Sequence, residues 1–253
     1  MFKQAIVRKP SESMVKGLSE ANMGLPDYAL ALEQHLDYIA ALKECGLQVF
    51  ELPALEDYPD ACFVEDVALL TPSCAILTCP GAPSRRGEVQ YIADTIQQFY
   101  PSVARINAPG HVEAGDIMMV GEHFYIGLSA RTNTLGATQL IKVLEAHGMT
   151  GSMVEMSELL HLKTGLSYLE NNNLLTFGEF SHRADFSQFN RIPILPEESY
   201  AANSVWINDT VLVPKGFPNT LAAIQQLGYN TREVAMSEFQ KLDGGLSCLS
   251  LRF

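Results

Sequence analysis

The sequence lacks any run approaching the roughly 20 apolar residues that a helix needs to cross a bilayer. Its opening segment, MFKQAIVRKPSES, holds no apolar stretch long enough for the core of a secretory signal. These absences predict a protein that neither spans a membrane nor is exported, with the cytoplasm as its expected location. Cysteine is sparse: Cys45, Cys62, Cys74, Cys79 and Cys248 are an odd count with no C-x-x-C pair. That argues against a disulfide framework and a structural zinc site, and leaves most of them as buried, inert thiols. His35, His111, His123, His147 and His182 show no metal-ligand spacing, so neither a metal nor another cofactor is expected. Basic residues are also scarce, 17 against 29 acidic ones, for a formal net charge of −12. A chain this acidic repels nucleic acid and anionic membrane at long range and concentrates small cations around itself.

What is present is ordinary globular chemistry. Hydrophobic residues make up 47% of 253, enough for a large buried core. Short β-rich runs alternate with helical ones. Residues 5–7 read as a strand, 26–45 as a helix stopped by Gly46, and 47–52 as a strand. The pattern recurs with strands at 67–70 and 75–78 before a helix at 86–99, and at 117–120 and 123–126 before a helix at 132–147. A strand at 174–177 precedes a short helix at 184–189; strands at 205–207 and 211–213 precede a helix at 219–227. Five such units with no linker between them predict one domain, residues 1–253. Two internal similarities point to repetition. Val154 and Met156-Ser157-Glu158 through Gly165-Leu166-Ser167-Tyr168-Leu169 match Val234 and Met236-Ser237-Glu238 through Gly245-Leu246-Ser247-Cys248-Leu249 without a gap. Gly81 through Arg85 matches Gly127 through Arg131, each opening a helix after a hairpin. If the units repeat around an axis, equivalent loops converge there and the two arginines approach one another.

The segments at the unit junctions carry the reactive side chains. They are Asp60 to Asp66, Glu113-Ala114-Gly115-Asp116, His161 to Gly165, and Leu242 to Cys248. Acids, a histidine and a cysteine far apart in sequence suit nucleophilic catalysis, whose partners meet only in space. Cys248 follows Gly244-Gly245, a pair that permits close backbone approach or positive φ. Its alternative is a buried thiol on a terminal strand, although Tyr168 at the equivalent repeat position shows that packing alone does not demand cysteine. His161, with an ordinary pKa near 6.5, suits a proton shuttle, and Glu113 could orient its ring; a merely structural histidine is the alternative. Asp60, Glu65 and Asp66 lie beside an apolar stretch, where carboxylates repel one another unless a cation intervenes. A guanidinium fits that need because its planar fork meets carboxylates bidentately. Pairing within the chain to Arg85, Arg86 or Arg131 would satisfy it equally. Arg85 and Arg131 oppose the dipole of the helices they precede, which calls for another role, such as binding a carboxylate.

In these motifs the sequence resembles the dimethylarginine dimethylaminohydrolases, in their short bacterial form, within the pentein or guanidino-group-modifying superfamily. The likeness runs end to end and is strongest in Phe63 to Asp66, Pro80 to Arg86, Val112 to Val120, Ala130 to Asn133, His161 to Gly165, Tyr200-Ala201-Ala202-Asn203 and Asp243 to Cys248. The resemblance implies an α/β fold, a five-bladed propeller of pseudo-symmetric ββαβ modules. It implies hydrolysis of Nω-methylated arginine to citrulline and a methylamine through a covalent thiouronium, with Cys248 as nucleophile, His161 as proton donor and base, and Glu113 as its partner. It implies that Glu65 and Asp66 bind the guanidinium, and that Arg85 and Arg131 bind the substrate carboxylate. Asp60 and the backbone carbonyls of Leu18 and Leu242 would hold the α-amino group, with the loop around Gly17 and Leu18 closing over the site. The partner so implied is a small cationic guanidino compound; the outer face of such a propeller could also support a homodimer. Two other readings stay open: a deiminase acting on arginine or another guanidine, and a non-catalytic pentein that binds arginine.

Overall fold

The computed structural model describes residues 1–253. In chain order its strands are β1 (Gln4–Arg8), β2 (Gln48–Leu52), β3 (Ala68–Leu70), β4 (Ala75–Leu77), β5 (Val103–Arg105), β6 (Ile117–Val120), β7 (His123–Leu128) and β8 (Thr150–Glu155). They continue with β9 (Leu166–Tyr168), β10 (Asn173–Thr176), β11 (Asn190–Pro193), β12 (Val205–Ile207), β13 (Thr210–Pro214), β14 (Asn230–Val234) and β15 (Leu251–Arg252). The α-helices are α1 (Tyr28–Glu44), α2 (Gln90–Gln97), α3 (Thr134–Ala146), α4 (Leu162–Gly165), α5 (Pro218–Gln226) and α6 (Ser237–Gln240).

The strands form five three-stranded sheets of one design. In each, the middle strand pairs antiparallel with one neighbour and parallel with the other, as β7 does with β6 and β8. The parallel partner returns through a crossover, the connection a parallel pair requires. The crossover is α1 before β2, α2 before β5, α3 before β8 and α5 before β14. The last sheet to close joins the two ends of the chain, because β15 lies antiparallel to β1. Helix boundaries follow from capping. Asp27 accepts a hydrogen bond from the Leu30 N–H at the start of α1, and Asn133 does the same for Gly136 at the start of α3. Gly46 and Gly148 end these helices at φ +87° and +77°, where a side chain would be strained.

By contact density the chain forms two compact units, Glu65–Thr164 on one hand and Met1–Val64 with Gly165–Phe253 on the other. The first contains the sheets β3-β4-β5 and β6-β7-β8, packed around Ile76, Val112, Ile117, Phe124, Ile126, Leu140 and Leu144. The second contains the other three sheets. One of its apolar clusters centres on Tyr38, Leu42, Phe63, Phe239 and Leu246, the other on Leu169, Leu175, Val211, Val213 and Ile224.

Several features depart from the sequence reading. Among them are strands β9 and β15, which it did not expect, and the helix expected at 86–99, whose start is a 3-10 turn over Pro83–Val89 before α2. The parallel outer strands β5, β8, β11 and β14 carry no apolar run, because each is an edge strand whose side chains are largely half-buried or exposed. The short helix expected at 184–189 is instead a pair of 3-10 turns, Gly178–His182 and Ala184–Phe186. Serine, aspartate and glycine there favour turns over helix, while Phe180 and Phe186 are buried and meet edge to face.

Every module begins with a helical turn just before its first strand. These turns are Val64–Val67 before β3, Ala114–Asp116 before β6, α4 before β9, Pro196–Ala202 before β12 and Ser247–Leu249 before β15. The junction motifs lie on or beside them.

Candidate active site

In the unit Glu65–Thr164 three junctions meet. Glu113 is 1% exposed and is the hub. Its Oε2 lies 2.8 Å from His161 Nε2, while its Oε1 accepts from the Ala82 N–H at 2.9 Å and from Arg131 Nη1 at 3.5 Å. Asp66, also buried, accepts from the Gly115 N–H at 3.0 Å and pairs through its other oxygen with Arg85. Arg85 in turn binds Glu88 at 2.8 Å, and Glu65 binds Lys163 at 2.6 Å. Gly115 is required by space: a Cβ there would stand 2.9 Å from both Asp66 Oδ1 and the ring of His161. The two repeat-related turns do come together, since a Cβ on Gly81 would meet the Arg131 carbonyl oxygen at 2.4 Å.

Asp116 ties this network together and was quoted in the sequence without a role. It is fully buried; its Oδ1 accepts from the Leu162 N–H at 3.0 Å and its Oδ2 from Ser129 Oγ at 2.7 Å. Ser129 Oγ accepts from the N–H groups of Arg131 and Thr132, and Thr132 Oγ1 accepts from the Glu113 N–H. The loop carrying His161 and the turn carrying Arg131 are therefore fixed to one carboxylate.

The electrostatics follow from this crowding. Burial pulls the His161 pKa down, but Asp116, the hydrogen bond to Glu113, and Asp66 outweigh it and push it up to about 9. At neutral pH the ring is an imidazolium, so His161 rests as an acid rather than as the shuttle near 6.5 that its ordinary value suggests. Burial also opposes the charge of Asp66, yet Arg85, His161 and the Gly115 N–H hold its pKa below the usual carboxylate value. Asp116 goes the other way, because burial outweighs His161, Ser129, Thr132 and the Leu162 N–H. One oxygen or nitrogen each from Asp66, Glu113 and His161 lie within 4.8 Å, a spacing that could hold a metal ion. The cations already beside these groups are Arg85 on Asp66 and the protonated His161 on Glu113. Of the pairings left open by the sequence for Asp60, Glu65 and Asp66, that of Asp66 with Arg85 forms; Glu65 takes Lys163, Arg131 meets Glu113, and Arg86 donates to the Pro80 carbonyl at 3.0 Å. Arg131 keeps 21% of its side chain exposed against 5% for Arg85, which makes it the more accessible guanidinium.

The other unit holds the remaining predicted residues. Asp60 Oδ1 accepts from the Leu18 N–H at 3.0 Å, and a Cβ on Gly17 would touch both that oxygen at 2.8 Å and Leu242 Cδ2 at 3.3 Å. Leu18, Asp60 and Leu242 are therefore neighbours. The loop that follows Leu18 is tied to the same region: Ser19 Oγ donates to the Lys241 carbonyl at 2.6 Å, and the Glu20 N–H donates to Asp243 at 2.6 Å. A cavity of about 180 Å³ lies beneath it, lined in part by Gly17, Met23, Lys241 and Leu242. Cys248 sits on the turn Ser247–Leu249, half-buried, with its Sγ accepting from the Gly245 N–H at 3.4 Å. The gapless repeat conceals a difference here, because Tyr168 lies in strand β9 while Cys248 lies in a turn before β15.

Comparison with known proteins decides what this arrangement belongs to. A dimethylarginine dimethylaminohydrolase of Pseudomonas aeruginosa is 57% identical over the whole of both chains. The chain belongs to the dimethylarginine dimethylaminohydrolase family. A second member, from Streptomyces coelicolor, is 33% identical over 99% of this chain and 96% of its own. The family model for arginine deiminase matches residues 30–194. Among solved structures, a cysteine-to-serine variant of the P. aeruginosa dimethylarginine dimethylaminohydrolase in complex with citrulline superposes with a TM-score of 0.99, covering all of both chains at 57% identity. The fold class is accordingly the α/β propeller of five ββαβ modules that characterises the penteins, as the sequence implied.

The sequence reading missed Asp116, Glu88 and Lys163 as parts of the dimethylargininase network. Asp116 had a signal, since it closes the quoted Glu113-to-Asp116 motif. Lys163 likewise lies within the quoted His161-to-Gly165 motif; Glu88 had no signal, because a lone charge on a helical turn looks alike whether buried or solvated.

Proposed function

We propose that this chain hydrolyses Nω-methylated arginine to citrulline and mono- or dimethylamine. The observation that carries the reading is the full-length 57% identity to a dimethylarginine dimethylaminohydrolase. The clustering of acids supports it. Glu65, Asp66, Glu88 and Glu113 are buried in one region with Asp116, and so many acidic side chains in one place suit a cationic substrate.

Cys248 is the proposed nucleophile: its thiol loses its proton to solvent as the cationic substrate binds. The thiolate sulfur then bonds to the guanidinium carbon, which becomes tetrahedral as the C=N π electrons move onto nitrogen. His161, already protonated, donates to the departing methylated nitrogen as the C–N bond breaks, leaving a thiouronium on Cys248 and a neutral imidazole. The imidazole then takes a proton from water as its oxygen adds to the same carbon. Expulsion of the thiolate releases citrulline. Glu113 stabilises the imidazolium at each stage in which it forms. Glu65 and Asp66 would hold the guanidinium; Arg131, and Arg85 beside Asp66, would hold the carboxylate; Asp60, with the carbonyls of Leu18 and Leu242, would hold the amino group. The loop around Gly17 and Leu18 would close over the bound substrate. Residues 1–253 are proposed to act as one catalytic domain, consistent with the pairing of both chain ends in one sheet. None of the five cysteines forms a disulfide, which suits the reducing cytoplasm.

The test is product analysis with monomethylarginine, dimethylarginine and arginine as separate substrates. Citrulline with an equimolar methylated amine is expected from the methylated compounds, and none from the Cys248→Ser protein. Ammonia from arginine as the dominant product would overturn the assignment.

A further inference from the structure

The Tyr200-to-Asn203 motif has no role in the scheme above, yet it contacts the turn that carries Cys248. Tyr200 Oη donates to the Gly244 carbonyl oxygen at 2.7 Å. The Gly245 N–H, at the other end of that same peptide group, donates to Cys248 Sγ at 3.4 Å. Asn203 is 6% exposed and grips the next residues: its Oδ1 accepts from the Ser247 N–H at 2.9 Å and its Nδ2 donates to Ser247 Oγ at 3.0 Å. The glycine pair is there for space. A Cβ on Gly244 would stand 2.1 Å from the ring of Phe63, and one on Gly245 would stand 2.5 Å from the Asn203 amide. The left-handed residue of the turn is Asp243, at φ +57°.

We propose that Tyr200 and Asn203 are positioning residues for the nucleophile, with the Tyr200 hydroxyl orienting and polarising the Gly244–Gly245 peptide so that its N–H stabilises the Cys248 thiolate. A hydrogen bond to a carbonyl oxygen increases the polarity of the amide N–H across the peptide plane, and the effect is larger away from water. A donor to sulfur favours the charged form of the thiol. Tyr200 remains a donor throughout the working range, since burial, and then the charge of Cys248, push its own pKa well above the ordinary value. Asn203 fixes the end of the turn adjoining Cys248, so that rotation of the turn cannot carry the sulfur away from the donor.

The inference rests on the reading of Cys248 as nucleophile, and the experiment separates the two. Tyr200→Phe, Asn203→Ala and Cys248→Ser proteins are compared with the native protein for kcat, KM, melting temperature, and the pH dependence of thiol alkylation by iodoacetamide. In Tyr200→Phe the midpoint of Cys248 alkylation should rise by about half a pH unit or more, and kcat should fall about tenfold with KM changed less than about threefold. Asn203→Ala should move both quantities in the same direction. A folded Tyr200→Phe protein with native kcat and an unmoved alkylation midpoint would overturn the relay. Were that variant unable to fold, an unmoved midpoint in Asn203→Ala would do the same. Turnover retained by Cys248→Ser would instead sink the nucleophile assignment.

Discussion

Replacing Glu113 by glutamine should change the resting charge of His161, and the structure sets the size of the change. The imidazole is raised from 6.5 to about 9. That rise of ~2.5 pH units corresponds to ~3.4 kcal/mol in favour of the protonated ring. Burial opposes the rise; against it Asp116 acts most strongly, then Glu113 through its hydrogen bond at 2.8 Å, then Asp66 and the charge of Glu113. A hydrogen bond to a charged group is worth about 1.5–3 kcal/mol, so losing the carboxylate should lower the pKa by about 1–2 units, to about 7–8. At pH 8 the native ring would be ~90% protonated and the variant roughly a quarter to a third, taking a value of ~7.5–7.7. The folded value exceeds the unfolded one, so protonated His161 favours the fold. Its contribution is fully present below pH about 6.5 and disappears as pH rises through about 9. The Glu113→Gln protein should lose part of that stabilisation below the lower value. A proton–carbon NMR titration of the imidazole Cε1–H groups, assigned with a His161→Gln sample, reads the pKa directly. A native His161 titrating below about 7.5, or a shift of less than about 0.3 unit in Glu113→Gln, would refute the electrostatic account.

Two other outcomes follow from the same geometry. A non-reactive guanidine should promote ionisation of the Cys248 thiol by supplying positive charge, which ultraviolet thiolate absorbance against pH would detect; equal midpoints with and without the ligand would contradict this. Arg85→Met should leave Asp66 and Glu88 buried without their shared cation, at a cost of about 3–5 kcal/mol visible as a lower denaturation midpoint in urea, and an unchanged midpoint would show that the pair is dispensable.

The sequence by itself determined the class of fold and singled out candidates for the reacting side chains. Strands β3, β4, β6, β7, β12 and β13 announce themselves because they are apolar and bounded by turn residues, and α1 and α3 because the stop glycines Gly46 and Gly148 mark their ends. Cys248, His161 and Glu113 stand out as candidates because few groups can serve as nucleophile and proton donor, and because motifs at matching junctions share a common place. The tertiary structure alone decided how the charges are paired. Whether Asp66 meets Arg85 or Arg86, whether Glu65 meets Lys163, and how Asp116 links Leu162 to Ser129 depend on which side chains reach across a buried space. It also decided the protonation of His161, which reverses from its ordinary value only because three carboxylates surround it away from water. Residue type sets what a group can donate or accept; burial and distance, which the linear order does not encode locally, set the strength and partner of each interaction.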